Sequence, residues 1–307
     1  MELVRRTRRV LWIAPAVLMA GCAGTVDGST EAPGTTGTVP VVEPAVATTT
    51  TGTTGTTAAT SIPSSTVGPG AEPTTSAAVP TTSESTTTVP TDHVEFGRSL
   101  QGRPITATRR GTPGGTVVLV IGAIHGNEDA GIAVIDDLLD ATIPDGIDLW
   151  LVESINPDGV ANDQRGNANG VDLNRNFPHD WQPIAELGDW QYSGSGPASE
   201  PETQAIINLS NLIQPKLTVW YHQDLYRISP GTGLDGLIRA RYAELTGLPL
   251  LRVTGGTYTG VAATWQRRTL PDAIAFIVEL GETLSSDEAA VHAAAVLDVA
   301  QLLPPQP

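Results

Sequence analysis

The sequence predicts an α/β fold, a three-layer sandwich around a mixed, largely parallel central sheet, for residues 93–307. Three observations carry this. Val117–Ile124 is a continuous apolar run behind Gly114-Gly115, as a strand buried on both faces requires. Ile132, Ile135, Leu138 and Leu139 follow at helical spacing. Apolar runs then alternate with helical stretches as far as the C-terminus, the rhythm of a layered fold.

The elements follow in chain order. Val117–Ile124 is the first buried strand, and Glu128–Leu139 reads as the helix after it. Leu149–Ile155 reads as strand, closed by the turn Asn156-Pro157-Asp158-Gly159. Ser199-Glu200-Pro201-Glu202 reads as a capping box opening a helix through Ile213. Leu217–Tyr221 is another buried strand, and Ala240–Thr246 lies in a helix stopped by Gly247. Ala273–Leu280 is a strand, and Ser285 to Glu288 caps a last helix reaching Leu302. No internal repeat is visible.

The chain before this domain is of another kind. Arg5, Arg6, Arg8 and Arg9 precede the apolar run Val10–Ala20, which is too short to span a bilayer and reads as an export signal. The run ends in Leu18-Met19-Ala20-Gly21-Cys22, which resembles a bacterial lipobox. That resemblance implies a signal peptide over 1–22, with lipidated Cys22 as membrane attachment on the outer face of the cell membrane; plain secretion is the alternative. Residues 23–92 are dominated by Thr, Ser, Pro, Gly and Val, a composition that cannot bury enough apolar surface to offset chain entropy, so a disordered linker is expected. As a random coil its reach is roughly 45–50 Å.

Composition limits the partners. A formal net charge of −16 disfavours nucleic acid, whose phosphates attract basic surface. With Cys22 the single cysteine, an internal disulfide and a cysteine-rich metal site are both excluded, so a metal site must use histidine and carboxylate. A monomer is expected.

In a sheet of this kind, chemistry gathers where strands end. His125 and Glu128 follow the first strand directly, and His222 ends the strand Leu217–Tyr221. Two imidazoles and a carboxylate, with a fourth position open, make a catalytic zinc site. Glu279 closes an apolar strand, where a carboxylate is costly unless it is used. Arg175 carries a planar fork suited to a carboxylate. His93, His179 and His292 read as ordinary surface or core histidines.

Several motifs, in order, resemble the zinc carboxypeptidase family: Gly97-Arg98-Ser99 with Gly102-Arg103-Pro104-Ile105, His125-Gly126-Asn127-Glu128, Asn156-Pro157-Asp158-Gly159, Gly170 to Pro178, and Ala275 to Leu280. The resemblance implies one zinc held by His125, Glu128 and His222. It implies Glu279 as the base for a zinc-bound water and then the proton donor to the leaving amine. By the same resemblance, Arg165 polarises the scissile carbonyl, Asn174 and Arg175 hold the substrate's terminal carboxylate, and Tyr258 closes over the substrate. Ala263 and Thr264 fall in the implied specificity pocket, and neither is acidic. Asn167 to Pro178 looks most like bacterial murein peptide amidases, which cleave at the diaminopimelate residue of cell-wall peptides, so a peptide or muropeptide substrate is expected. The competing substrate reading is a general peptide-scavenging carboxypeptidase. The alternatives in function are a zinc deacylase resembling the succinylglutamate desuccinylase and aspartoacylase group, and a non-catalytic wall-binding lipoprotein.

Overall fold

The computed structural model describes residues 93–305. The signal segment, Cys22 and the linker lie outside the described residues. The described chain runs β1 (His93–Arg98), β2 (Pro104–Gly111), β3 (Thr116–Ala123), α1 (Gly131–Asp140), β4 (Ile147–Ser154), α2 (Pro157–Asn162), a 3₁₀ turn (Leu173–Arg175), α3 (Pro201–Ile213), β5 (Leu217–Gln223), β6 (Arg227–Ile228), α4 (Gly233–Thr246), α5 (Ala262–Thr269), β7 (Ile274–Leu280) and α6 (Ser286–Ala300).

The strands form one seven-stranded sheet in the order β1-β2-β4-β3-β5-β7-β6. Its centre is parallel: β3 pairs with β4 and β5, and β5 with β7. Its margins are antiparallel, β1 on β2, β2 on β4, and β6 on β7. The alternation of side chains along each strand divides the core. Val118, Val120, Leu149, Leu151, Val219, Tyr221, Phe276 and Val278 pack with α1, α4 and α6. Leu119, Ile121, Trp150, Val152, Trp220 and Ala275 pack with α3 and α5 on the other face. The result is the three-layer sandwich the sequence predicts. Each fully buried Val, Leu or Ile in it contributes about 1.5–3 kcal/mol.

The antiparallel margins were not visible in the sequence. β1 is half exposed, carries Glu95 and Arg98, and shifts register between Glu95 and Gly97, so it has no clean alternation. α5 also escaped the sequence reading, because its basic Arg267 and Arg268 mask the buried Ala262, Ala263 and Trp265. Three local readings change. The helix after β3 begins at Gly131, not Glu128, because the Glu128 carboxylate turns back toward His125 and His222. Asn156 to Gly159 is not a free turn but the start of α2, whose first N–H groups Asn156 caps by accepting from Gly159 N at 2.9 Å. Ser199 does not cap α3: the N-cap is Glu200, with no side-chain cap bond, and Ser199 donates to Glu200 instead. The capping box at Ser285 and Glu288 does form.

Candidate metal centre and substrate pocket

The parallel strands β3, β5 and β7 all end at one edge of the sheet, and there the alternation decides which side chains meet. His222 has the parity of Trp220, and Glu279 that of Ala275, so both point to the α3/α5 side. They are also direct partners in the β5–β7 register. His125 arrives just beyond β3, and a loop folds Glu128 against both histidines. Glycine permits that fold: a Cβ at Gly126 would lie 1.9 Å from the carbonyl carbon of Gly159.

His125 Nδ1 and His222 Nδ1 each lie 2.9 Å from Glu128 Oε2. One ligand atom from each of the three residues can be chosen with all of them within 4.8 Å of one another, and all three residues are buried. Two nitrogens and a carboxylate oxygen converging on one point are a donor set that zinc prefers. The residues present fit that metal.

Asp172 holds the arrangement from behind. Its Oδ1 accepts from His125 Nε2 at 2.9 Å, leaving Nδ1 to face Glu128, and its Oδ2 takes Arg165 at 2.9 Å. A carboxylate behind a metal-binding imidazole fixes its tautomer and raises its basicity. Burial alone would lower the His125 pKa, but the Asp172 charge and hydrogen bond, with Glu128, outweigh it and raise it. Burial lowers His222 against the pull of Glu128. Glu128 and Asp172 are held well below the usual carboxylate range by their histidine contacts, despite burial.

Sequence reasoning assigned Asp172 no role. It sits inside a motif singled out for Asn174 and Arg175, and only the fold brings it to a histidine 47 positions earlier. The loop carrying it is pinned by Asn167, which donates to buried Glu200 at 2.8 Å and Glu202 at 3.0 Å.

Every metal, catalytic and substrate-contact residue named from the sequence borders a single cavity of about 460 Å³. Glu279 is the unusual group in it. Its Oε2 is buried without a hydrogen-bond partner. Burial pushes its carboxyl up to about 7, the Glu128 charge adds to the push, and the Leu225 N–H and the Arg227 charge oppose it. A carboxyl poised near neutrality can both take and return a proton. A dication between the three ligands would draw it downward, by favouring the charged form.

Arg165 donates to Glu128 and to Asp172 and lies 5.1 Å over the Trp190 ring. Asn174 Oδ1 accepts from Ala262 N at 3.0 Å, anchoring this loop to α5. Arg175 forms no ion pair with a described carboxylate, its Nε is buried without a partner, and its guanidinium lies 5.2 Å from the Tyr258 ring centre. Its loop is seated against Gly260, where a Cβ would fall 2.2 Å from Arg175 O. Tyr258 is exposed at the cavity's rim. Ala263 and Thr264 line the same cavity.

The chain is similar to proteins already known. A zinc carboxypeptidase family profile matches residues 89–225, which include all three metal candidates. Murein peptide amidase A of Escherichia coli (strain K12) is 32% identical over 186 residues, spanning 57% of this chain and 75% of that protein. The crystal structure of murein-tripeptide amidase MpaA from Escherichia coli O157 superposes with a TM-score of 0.57 at 29% identity, covering 71% of this chain and 95% of that one. Carboxypeptidase A from Helicoverpa armigera, 20% identical over 68% of this chain and 67% of its own, shares the fold with a TM-score of 0.56. The chain belongs to the zinc carboxypeptidase family. It is a peptide hydrolase, and zinc is its metal.

Proposed function

We propose that this enzyme removes the C-terminal residue of peptides with a free terminal carboxylate, cell-wall peptides among them, using His125, Glu128 and His222 as zinc ligands. The carrying observation is Arg175, a buried guanidinium with no carboxylate of its own, in the same cavity as the three metal candidates and Glu279. Zinc supplies Lewis acidity when bound, lowering the pKa of water toward neutrality and polarising a carbonyl. Glu279 takes a proton from the attacking water as its oxygen bonds to the scissile carbonyl carbon. Arg165 offsets the negative charge that develops on the carbonyl oxygen. The C–N bond then breaks, and Glu279 returns the proton to the leaving amine. Asn174 and Arg175 hold the terminal carboxylate, which makes the action exopeptidic, and Tyr258 closes over it. The likeness to murein peptide amidases supports cell-wall peptides as substrates.

The test is amidation. Replacing the substrate's terminal carboxylate with an amide should lower kcat/KM about 100-fold or more, since the amide leaves Arg175 desolvated with a poor partner. Arg175→Ala should slow free-acid peptides strongly and amidated ones little. Equal cleavage of both by the parent would put an endopeptidase or deacylase in its place.

The proposal includes export and anchoring of the catalytic domain, residues 93–307, through Cys22 and the linker 23–92. The apolar run before Cys22 supports it. Cys22→Ser should move the protein out of the membrane fraction or leave its signal uncleaved; unchanged processing and fractionation would exclude the anchor.

A further inference from the structure

Arg165 lies in the loop after α2, on neither helix nor strand, so side-chain contacts must set its direction. Its guanidinium is gripped along the edges. Nε and Nη2 donate to Asp172 Oδ2 at 3.2 and 2.9 Å, and Nη1 donates to Glu128 Oε1. Two acceptors define an axis, about which the plane of the fork can still tilt. The contact on its face is Trp190, whose ring centre is 5.1 Å from the guanidinium carbon. A cation within about 6 Å of an indole face is attracted by the quadrupole of the ring.

The core gains little from Trp190, which is 62% exposed and borders the cavity. The loop that carries it, between the 3₁₀ turn and α3, contains no helix or strand. It is nonetheless well fastened. Asp189 Oδ1 accepts from Gln191 N at 2.8 Å and Asp189 O from Tyr192 N at 3.1 Å, a turn built directly around Trp190. Beyond that turn, Tyr192 O accepts from Asp172 N at 2.8 Å and Ser193 O from Asn176 Nδ2 at 2.9 Å. The turn is therefore tied to Asp172, the residue that grips Arg165. Ring and guanidinium share one anchor. Arg175 has a neighbour of the same kind in Tyr258, so both arginines assigned to the substrate carry an exposed aromatic.

We propose that Trp190 is a positioning residue for Arg165. By capping one face of the guanidinium, it holds the fork toward the scissile carbonyl and keeps water from that face. This rests on the reading of Arg165 as the group that offsets the charge on the carbonyl oxygen. A donor already oriented spends nothing on reorganisation when that charge appears, and a cation shielded from water acts through a lower dielectric. The charge develops only in the transition state, so the contribution falls on kcat and not on KM.

The experiment uses the full zinc-loaded chain and one free-acid peptide. The variants are Trp190→Leu, Trp190→Phe, Arg165→Gln, and the double variant Trp190→Leu with Arg165→Gln. Leucine keeps an apolar cover without a π face, and phenylalanine restores a face. Trp190→Leu should lower kcat about 3- to 10-fold, with KM, zinc content and the midpoint of urea unfolding unchanged. Trp190→Phe should fall between Trp190→Leu and the parent. In the Arg165→Gln background, Trp190→Leu should cost less than about twofold, because no guanidinium is left to position. A loss that persists in full without Arg165, or that appears in KM, would make Trp190 a substrate contact and overturn the positioning role. Parental kcat in Trp190→Leu, or a Trp190→Phe as slow as Trp190→Leu, would overturn it too. If Arg165→Gln is slow and Trp190→Leu is not, only the role of Trp190 falls. If Arg165→Gln turns over like the parent, the reading of Arg165 falls and the role of Trp190 with it.

Discussion

Tyr221 and His222 are neighbours on β5 and serve opposite sides of the sheet. Behind it, Tyr221 Oη lies 2.7 Å from Tyr242 Oη, which lies 2.8 Å from His292 Nδ1. In front, His222 meets Glu128, and Glu128 meets His125. Both clusters bury histidine, at 5% exposure for His292 and 4% for His222. Their partners differ. A single tyrosine hydroxyl meets His292, and burial lowers its pKa to about 4 against the pull of Glu288, so it is a neutral packing residue. Carboxylates surround the front pair and supply the negative charge that makes a metal site. Burial silences a histidine; burial beside carboxylates puts it to use.

Removing a front histidine should give the largest effect. His222→Ala should take zinc from about one per chain to near zero and abolish turnover, whereas His292→Leu should keep its zinc; metal analysis of the two variants decides it. Equal zinc in both would erase the distinction between the clusters.

Glu279→Gln comes next. It keeps the shape and the zinc but cannot accept a proton, so kcat should fall about 10²–10⁴-fold with metal content unchanged. Turnover close to the parent's would remove Glu279 from the mechanism.

Asp172→Asn tests how far the front cluster depends on its supporting carboxylate. Zinc affinity, measured by competition with a chelator, should drop about 10- to 100-fold as His125 loses its fixed tautomer. An unchanged affinity would leave Asp172 to hold Arg165 and to cap the Leu173–Arg175 turn, where its Oδ1 accepts from Asn174 N at 2.9 Å.

The smallest effect belongs to the back cluster and to pH. The unfolded chain's His292 titrates near 6.5 and the folded chain's near 4. Between those values the unfolded state binds a proton that the folded state refuses. The contribution is therefore complete above pH 6.5 and is lost as pH falls toward 4, at up to about 1.4 kcal/mol per unit. From pH 7 to pH 5 the parent should lose about 1–2 kcal/mol more stability than His292→Leu, read from urea unfolding at the two pH values. Parallel losses would show that His292 titrates normally in the fold.

The sequence by itself determined the parallel centre of the sheet, because strands buried on both faces must be apolar throughout. It also marked the strand-end positions of His125, Glu128, His222 and Glu279, since histidine or carboxylate at the end of an apolar run contradicts its surroundings. Only the tertiary structure decided the rest. The half-exposed β1 and the basic α5 lack a clear periodicity, because their exposed faces are free to vary. Asp172 looks like any acidic loop residue until the loop closes on His125. Arg239 and Arg267 stand 28 positions apart in the chain, yet both donate to the backbone oxygen of Ala275. Their meeting at Ala275 depends on how α4 and α5 approach β7, and proximity between distant segments is a product of packing that no local pattern of residues encodes.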